Sequence, residues 1–210
     1  QREIGLIVDE WGTWHPPVPG RHPRHLWQQN TLRDAMVAGS TLDIFNRHAD
    51  KVVMANIAQT VNVLQAMILT EGEQMLTTPT YHVYEMYKSH QGGESLRFIT
   101  QTDPIRFSGE EGEAEIPNLQ GSASLKDDVL TLSVTNYNVD VPLSADMVLR
   151  GARAGEAAVS VLSASDIHAH NTFEEPIRVT PKTVSLDLQG DRWHHTFAPA
   201  SITVFRISLS

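Results

Sequence analysis

The sequence contains no cysteine, which excludes a disulfide framework and thiol chemistry and is compatible with a reducing compartment. It holds no apolar run near the roughly eighteen residues that a membrane-spanning helix needs, and its start has no leader pattern. Basic residues are in deficit, with 16 Lys and Arg against 25 Asp and Glu and a net charge of −9. A chain without a basic footprint is poorly suited to nucleic acid or to an anionic membrane surface. An initiator Met and a flexible lead-in are missing too. Gln1-Arg2-Glu3 runs straight into an apolar stretch, as expected of a fragment or a cleaved chain.

Against these absences stand 40% hydrophobic residues and four tryptophans, enough to build the core of one large domain or two small ones. The stretch Ile4-Gly5-Leu6-Ile7-Val8-Asp9-Glu10-Trp11-Gly12-Thr13-Trp14 organises the rest. Its apolar half shows no polar alternation, the pattern of a strand buried on both faces. It then ends in acids, indoles and a glycine. A buried parallel strand with a carboxylate at its C-terminal end is how a (β/α)8 barrel presents a catalytic residue. Flat indoles suit the apolar CH faces of a sugar. The alternative is a strand that ends in a solvated acidic turn.

The loop His15-Pro16-Pro17-Val18-Pro19-Gly20-Arg21-His22-Pro23 can be neither helix nor central strand. After a barrel strand, such a loop lies at the catalytic face. Residues 26–48 carry Leu26, Leu32, Ala35, Met36, Leu42 and Phe45 at helical spacing, with Gly39 marking close packing or a break. Residues 51–58 read as the next buried strand, so residues 4–58 form a βαβ unit. An apolar run over 63–70 and a turn at Glu71-Gly72-Glu73 follow. Thr78-Pro79 then reads as an N-cap and first helical position opening a helix over 81–90. Gln91-Gly92-Gly93 ends that helix and predicts a domain boundary between residues 1–92 and 93–210. Beyond it, short alternating segments at 96–100, 121–125, 129–135, 141–149, 157–164, 183–188 and 201–209 predict an antiparallel sandwich. Lys126-Asp127-Asp128 and Gly190-Asp191 read as turns. The pairs Glu110-Glu111 and Asp127-Asp128 read as solvated turn charges.

Six stretches carry a resemblance. They are Val8-Asp9-Glu10-Trp11-Gly12-Thr13-Trp14, Gln28-Gln29-Asn30-Thr31-Leu32-Arg33-Asp34-Ala35 and His48-Ala49-Asp50-Lys51-Val52. Further on come Asn56-Ile57-Ala58-Gln59-Thr60-Val61-Asn62-Val63, Thr78-Pro79-Thr80-Tyr81-His82-Val83 and His168-Ala169-His170-Asn171-Thr172-Phe173-Glu174. Together they resemble glycoside hydrolase family 51, the α-L-arabinofuranosidases, in the family's order and over nearly the whole chain. The resemblance covers only the C-terminal part of such an enzyme. It implies the C-terminal portion of a (β/α)8 TIM barrel followed by a jelly-roll-like antiparallel β-sandwich. It also implies a retaining glycosidase without a cofactor, cytoplasmic and homo-oligomeric as a complete unit.

By this resemblance Glu10 is the catalytic nucleophile and Gln59 the glutamine that hydrogen-bonds arabinose. Trp14 borders the sugar site and Trp11 stands beside the nucleophile. Gly12 occupies a place where some members have asparagine. The acid/base of the family is a glutamate after an asparagine, and no Asn-Glu pair occurs in this sequence. The N-terminal part of the same enzyme is therefore an expected partner, alongside an arabinofuranosyl oligosaccharide or polysaccharide.

The chemistry fits these residue types. Retaining hydrolysis uses two carboxyl groups about 5–5.5 Å apart, one attacking the anomeric carbon and the other shuttling a proton. An amide such as Gln59 orients a sugar hydroxyl as donor and acceptor at once. Asp9 points to the opposite side of the strand from Glu10 and reads as structural. Trp27 reads as packing, His22 and His25 as neighbours of the loop over the site, and His194-His195 as surface. His168 and His170 could share one strand face as metal ligands, but with no third ligand they read as a domain-interface hydrogen bond. Two other readings stay open: a non-catalytic carbohydrate-binding or scaffold fragment, and a related β-xylosidase or endoglucanase.

Overall fold

The structure, a computed structural model, describes residues 4–109 and 112–210. The Glu110-Glu111 pair lies outside the described residues. Strand β1 (Leu6–Trp11) runs parallel to β2 (Val52–Ile57), with Trp11 opposite Ile57. Helix α1 (Leu32–Arg47) makes the crossover that parallel strands require. The helix starts later than its apolar spacing predicts because Thr31 and Asp34 form a capping pair. Both the Thr31 N–H and its hydroxyl donate to Asp34 Oδ2 at 2.8 Å. A local hydrogen-bonding signal here overrides apolar periodicity.

A hairpin of β3 (Ile68–Glu71) and β4 (Gln74–Thr77) follows, turning at Gly72 with φ +59°. Thr78 caps α2 (Pro79–Tyr87) by accepting the Tyr81 N–H, and Pro79 fills the first turn. The remaining chain is antiparallel. β5 (Glu94–Leu96), β8 (Leu119–Lys126), β9 (Val129–Asn136), β11 (Ala154–Ser163), β12 (Lys182–Gly190) and β14 (Ser201–Leu209) form one six-stranded sheet in the order β12-β11-β14-β9-β8-β5. β10 (Leu143–Val148) pairs with β13 (Arg192–Phe197), and β6 (Pro104–Gly109) with β7 (Gly112–Pro117).

The sheet has two unlike faces. Leu130, Leu132, Val134, Phe205 and Ile207 face a core shared with Phe197 and Trp193 of β13 and Leu143 of β10, which makes the sandwich. On the reverse, Ile202 and Val204 join Ala35, Met36, Val83 and Met86 of the two helices in a second core. The helices thus form a third layer on the sheet, and a continuous core crosses residue 92. The strands missing from the sequence reading are β4, β6, β7 and β13. In β13 the inward positions are Trp193, His195 and Phe197, so a histidine interrupts the apolar alternation.

Two expectations need correction. Strand β1 is not buried on both faces: Leu6 and Ile7 are each 54% exposed, and Val53 of β2 is 66% exposed. Among the described residues, parallel pairing is limited to β1–β2 and a Val61–Ile68 bridge, so no barrel closes over these apolar side chains. No helix of the described residues is long and apolar enough to cross a membrane.

Between α1 and the sheet lies a buried polar cluster. Asp43 is fully buried; Ser122 and Ser133 donate to its Oδ1 at 2.7 and 2.5 Å, and Tyr87 donates to Oδ2 at 3.1 Å. Arg47 donates to the Gly121 carbonyl at 2.6 Å. Gly121 has to be glycine, since a Cβ there would sit 1.9 Å from the Ser133 carbonyl oxygen. His90 bridges Ser124 (2.8 Å) and Ser133 (3.2 Å). Burial pushes the Asp43 carboxyl from its ordinary 3.8 up to about 7, against the pull of the three hydroxyls and Arg47. Burial also lowers His90 from 6.5 to about 4.

These shifts act on stability in opposite senses. Folded Asp43 keeps a proton that the unfolded chain gives up above 3.8, so its stabilisation is complete below that pH and lost as pH rises through about 7. Folded His90 stays neutral while the unfolded chain protonates below 6.5, so its stabilisation is lost on acidification from 6.5 to about 4. Asp43→Asn is expected to abolish the decline toward about pH 7, an effect of order 4 kcal/mol at most, and to leave the acid-side decline intact. Thermal midpoints of both proteins across this pH range check it.

Candidate active site

The C-terminal ends of β1 and β2 lie side by side because the strands are parallel. The Ala58 N–H extends the ladder by donating to the Trp11 carbonyl at 2.9 Å. Glu10 therefore stands one residue before the paired Trp11, and Gln59 two residues beyond its partner Ile57, on the same rim. Both side chains are exposed. Among the described residues neither the Glu10 nor the Asp9 side chain makes a hydrogen bond or ion pair, and Asp9 is exposed as well. No bond thus displays the structural role expected of Asp9.

The two indoles of this stretch separate. Trp11 is half-buried in the helix layer, stacked on Tyr84 (centroids 6.3 Å, 18°) and edge-on to Phe45 (5.5 Å, 82°). Strand alternation then turns Glu10 away from the helices. The Trp11 ring thus backs the strand from the side opposite Glu10. Trp14 is 69% exposed at the rim.

The peptide carrying Trp14 is held by three buried side chains. Gln65 accepts the Thr13 N–H at Oε1 (2.8 Å) and donates through Nε2 to the Asp34 carbonyl (2.6 Å). Asp34 Oδ1 accepts the Thr13 hydroxyl at 2.7 Å and meets His15 Nε2 at 3.0 Å. Gln28 accepts the His15 N–H (2.8 Å) and donates to the Thr13 carbonyl (3.0 Å). Gly12 adopts φ +144°, where a Cβ would lie 3.0 Å from Gln65 Oε1, so glycine lets the chain pass this close to Gln65 without strain. Sequence reading assigned no role to Gln28, Asp34 or Gln65. The available signal was Gln65 itself, a lone amide inside the apolar run 63–70.

Beyond Trp14 the proline loop borders a cleft of about 440 Å³ that also meets Gln29, Thr31, Arg33, His168 and His170. His170 Nδ1 contacts the His168 carbonyl of its own loop (2.9 Å). Hydrogen bonds from this loop to α1 come instead from backbone: Ile167 and Ala169 carbonyls accept the N–H groups of Arg33 and Leu32. Asn171 donates to the Thr77 carbonyl at 2.9 Å. The expected interface bond thus exists, but it is not made by the histidine rings. No group of three metal-ligating side chains gathers among the described residues. His22 and His25 lie tilted against each other (centroids 5.0 Å, 35°) and are exposed. Trp27 packs as expected, with Arg21 over its ring at 4.6 Å. His194 lies at the surface beside Asp146 (3.0 Å), whereas His195 is half-buried between Phe197 and Phe205, and burial lowers its pKa.

The paired strand ends and sheet-rich C-terminal region are shared with solved family 51 glycoside hydrolases. An arabinofuranosidase of that family from Xanthomonas axonopodis pv. citri superposes with a TM-score of 0.90 at 39% identity, over 97% of this chain and 41% of that one. The α-L-arabinofuranosidase of Thermotoga maritima, solved as an arabinose complex, gives 0.82 at 26% identity, over 96% of this chain and 42% of that one. An intracellular exo-α-L-arabinofuranosidase of Bacteroides ovatus is 42% identical over 185 residues, which are 86% of this chain and 35% of that protein. The model of the α-L-arabinofuranosidase C-terminal domain family matches residues 9–201. The chain belongs to this family, and it spans about a third of the length of the curated relative just described.

The contrast between the two indoles gives a stability prediction. Trp11→Ala is expected to cost about 2 kcal/mol or more by emptying a half-buried site. Trp14→Ala should change stability by no more than about 0.5 kcal/mol. Urea unfolding of each variant measures the difference.

Proposed function

We propose that this chain is the nucleophile-bearing part of a retaining α-L-arabinofuranosidase, which removes terminal non-reducing arabinofuranosyl units from arabinan, arabinoxylan or their oligosaccharides. The observation that carries the reading is the common rim of Glu10, Gln59 and Trp14, set by the parallel pairing of β1 and β2. The names of the Bacteroides ovatus and Xanthomonas relatives support the activity. In this reading residues 1–92 belong to the C-terminal part of a (β/α)8 barrel and residues 93–210 to the sandwich domain.

Glu10 attacks the anomeric carbon and forms the glycosyl-enzyme; a partner acid protonates the leaving oxygen and then activates water. That acid comes from the N-terminal part of the enzyme, since this sequence has no Asn-Glu pair. Gln59 orients a furanose hydroxyl, Trp14 forms a wall of the sugar pocket, and Trp11 supports the strand from behind. Only hydrogen bonds that strengthen as the oxocarbenium-like state forms accelerate the reaction. No cofactor takes part. We place the complete enzyme inside the cell, as the Bacteroides relative is named, and as a homo-oligomer.

In the complete enzyme, Glu10→Gln should lower turnover of an aryl α-L-arabinofuranoside by more than about 1000-fold and leave arabinose binding measurable. Unchanged turnover would favour a carbohydrate-binding or scaffold role instead. Faster hydrolysis of an aryl β-D-xyloside than of the arabinoside would redirect the substrate assignment.

A further inference from the structure

We infer that Gln28, Asp34 and Gln65 are positioning residues that fix the Trp14 indole by clamping the peptide on both sides of it. The inference rests on the reading of Trp14 as a sugar-site wall and adds how that wall is held in place. Trp14 cannot be held by its own packing, because it is mostly exposed. Its neighbours are held instead. Thr13 donates its N–H to Gln65 and its hydroxyl to Asp34 and accepts from Gln28 at its carbonyl, while His15 donates its N–H to Gln28 and sets its ring against Asp34.

The three clamping side chains come from separate segments: the run-in to α1, the first turn of α1 and the loop after β2. All three are buried, Gln28 at 2% exposure and the other two at 0%. Gln65 and Asp34 are also tied to each other through the Asp34 carbonyl, and Asn30 and Gln65 meet on the Thr80 hydroxyl of α2. A buried amide that loses a partner is left with an unpaired polar atom, so the network resists sliding of the loop along the rim. Gly12, pressed close to Gln65, removes the last slack between strand end and clamp. A polar scaffold of this kind spends buried hydrogen-bonding capacity on a loop that ends in an exposed ring. That expenditure has a purpose when the ring must meet a ligand at one fixed angle.

The test is a double-mutant cycle in the complete enzyme between Gln65→Met and Trp14→Ala, read as kcat and KM on an aryl α-L-arabinofuranoside. Gln65→Met alone should lower kcat/KM by about 100-fold, the scale of a misplacement near 1 Å, with KM raised as well as kcat lowered. The double variant should then be no worse than Trp14→Ala within about threefold, because one change acts through the other. Losses that multiply overturn the inference. Thr13→Val, which deletes the hydroxyl's bond to Asp34 and its longer contact from Gln28 Nε2 (3.4 Å) and leaves both buried amides their backbone partners, should show the same non-additivity with a loss of about 10-fold. A second measurement needs no activity. In this chain labelled with 5-fluorotryptophan, the 19F resonance of Trp14, identified by Trp14→Phe, should broaden or shift in Gln65→Met while that of Trp193 stays fixed. An unmoved Trp14 resonance overturns the clamp whatever Glu10 does. Intact turnover in Glu10→Gln, by contrast, removes the nucleophile reading and leaves the resonance to decide the clamp.

Discussion

A carboxylate taken wholly out of water is costly unless its oxygens are met by hydrogen bonds, and Asp34 turns that cost into architecture. One oxygen accepts the N–H and hydroxyl of Thr31 and so starts α1 at a defined residue. The other accepts the Thr13 hydroxyl and faces His15. A single side chain therefore couples where the helix begins to where the loop after β1 lies. Since α1 is also the crossover that sets β2 beside β1, the relative placement of Glu10 and Gln59 depends on the same residue.

Asp43, about two and a half helical turns further on and so on the opposite face of α1, repeats the device with different chemistry. Its partners are hydroxyls of Ser122, Ser133 and Tyr87 rather than backbone or a ring, and Arg47 is spent on a carbonyl. Burial then dominates and the carboxyl is pushed upward. The two acids lie on one helix and serve two joints: Asp34 joins it to the rim, Asp43 to the sandwich sheet. The sheet has adapted accordingly. Its helix-facing side carries Ser122, Ser124, Thr131 and Ser133 where β8 and β9 pass, and aliphatic Ile202 and Val204 on β14. That mixed face is why the helices and the sandwich behave as one packed body rather than as two that merely touch.

How much of this was legible follows from where each signal resides. The strand order β1, α1, β2 and the cap at Thr78-Pro79 are written locally, in apolar runs and in residues whose side chains bond their own backbone. The six-stranded sheet was legible because Leu130, Leu132, Val134 and Phe205, Ile207 alternate strictly. β13 escaped because His195 takes an inward position between two phenylalanines, and β6–β7 because its residues are largely exposed and leave no buried face to read. The rim residues Glu10, Gln59 and Trp14 were singled out through the family's words, and the side on which Trp11 lies needed the helices. Gln28, Asp34 and Gln65 could not be assigned from spacing at all. Their roles are set by partners 13 to 52 residues away in sequence, and no local pattern encodes such a meeting.

The exposed apolar side chains of β1 and β2 sharpen what the chain itself stabilises. Leu6, Ile7, Val53 and Met54 are each more than half exposed, so hydrophobic burial contributes less to fixing the strand pair on that side. On the other side Trp11 is pinned by Phe45 and Tyr84, and beyond the strand end the buried amides and Asp34 take over. Buried side-chain hydrogen bonds are thus concentrated just beyond the C-terminal end of β1, where the chemistry is proposed to occur. A strand end held by directional bonds keeps its geometry whether or not its flank is covered. Burial alone would not do this, because apolar contact tolerates sliding, whereas a buried amide tolerates neither a missing partner nor a rotated one.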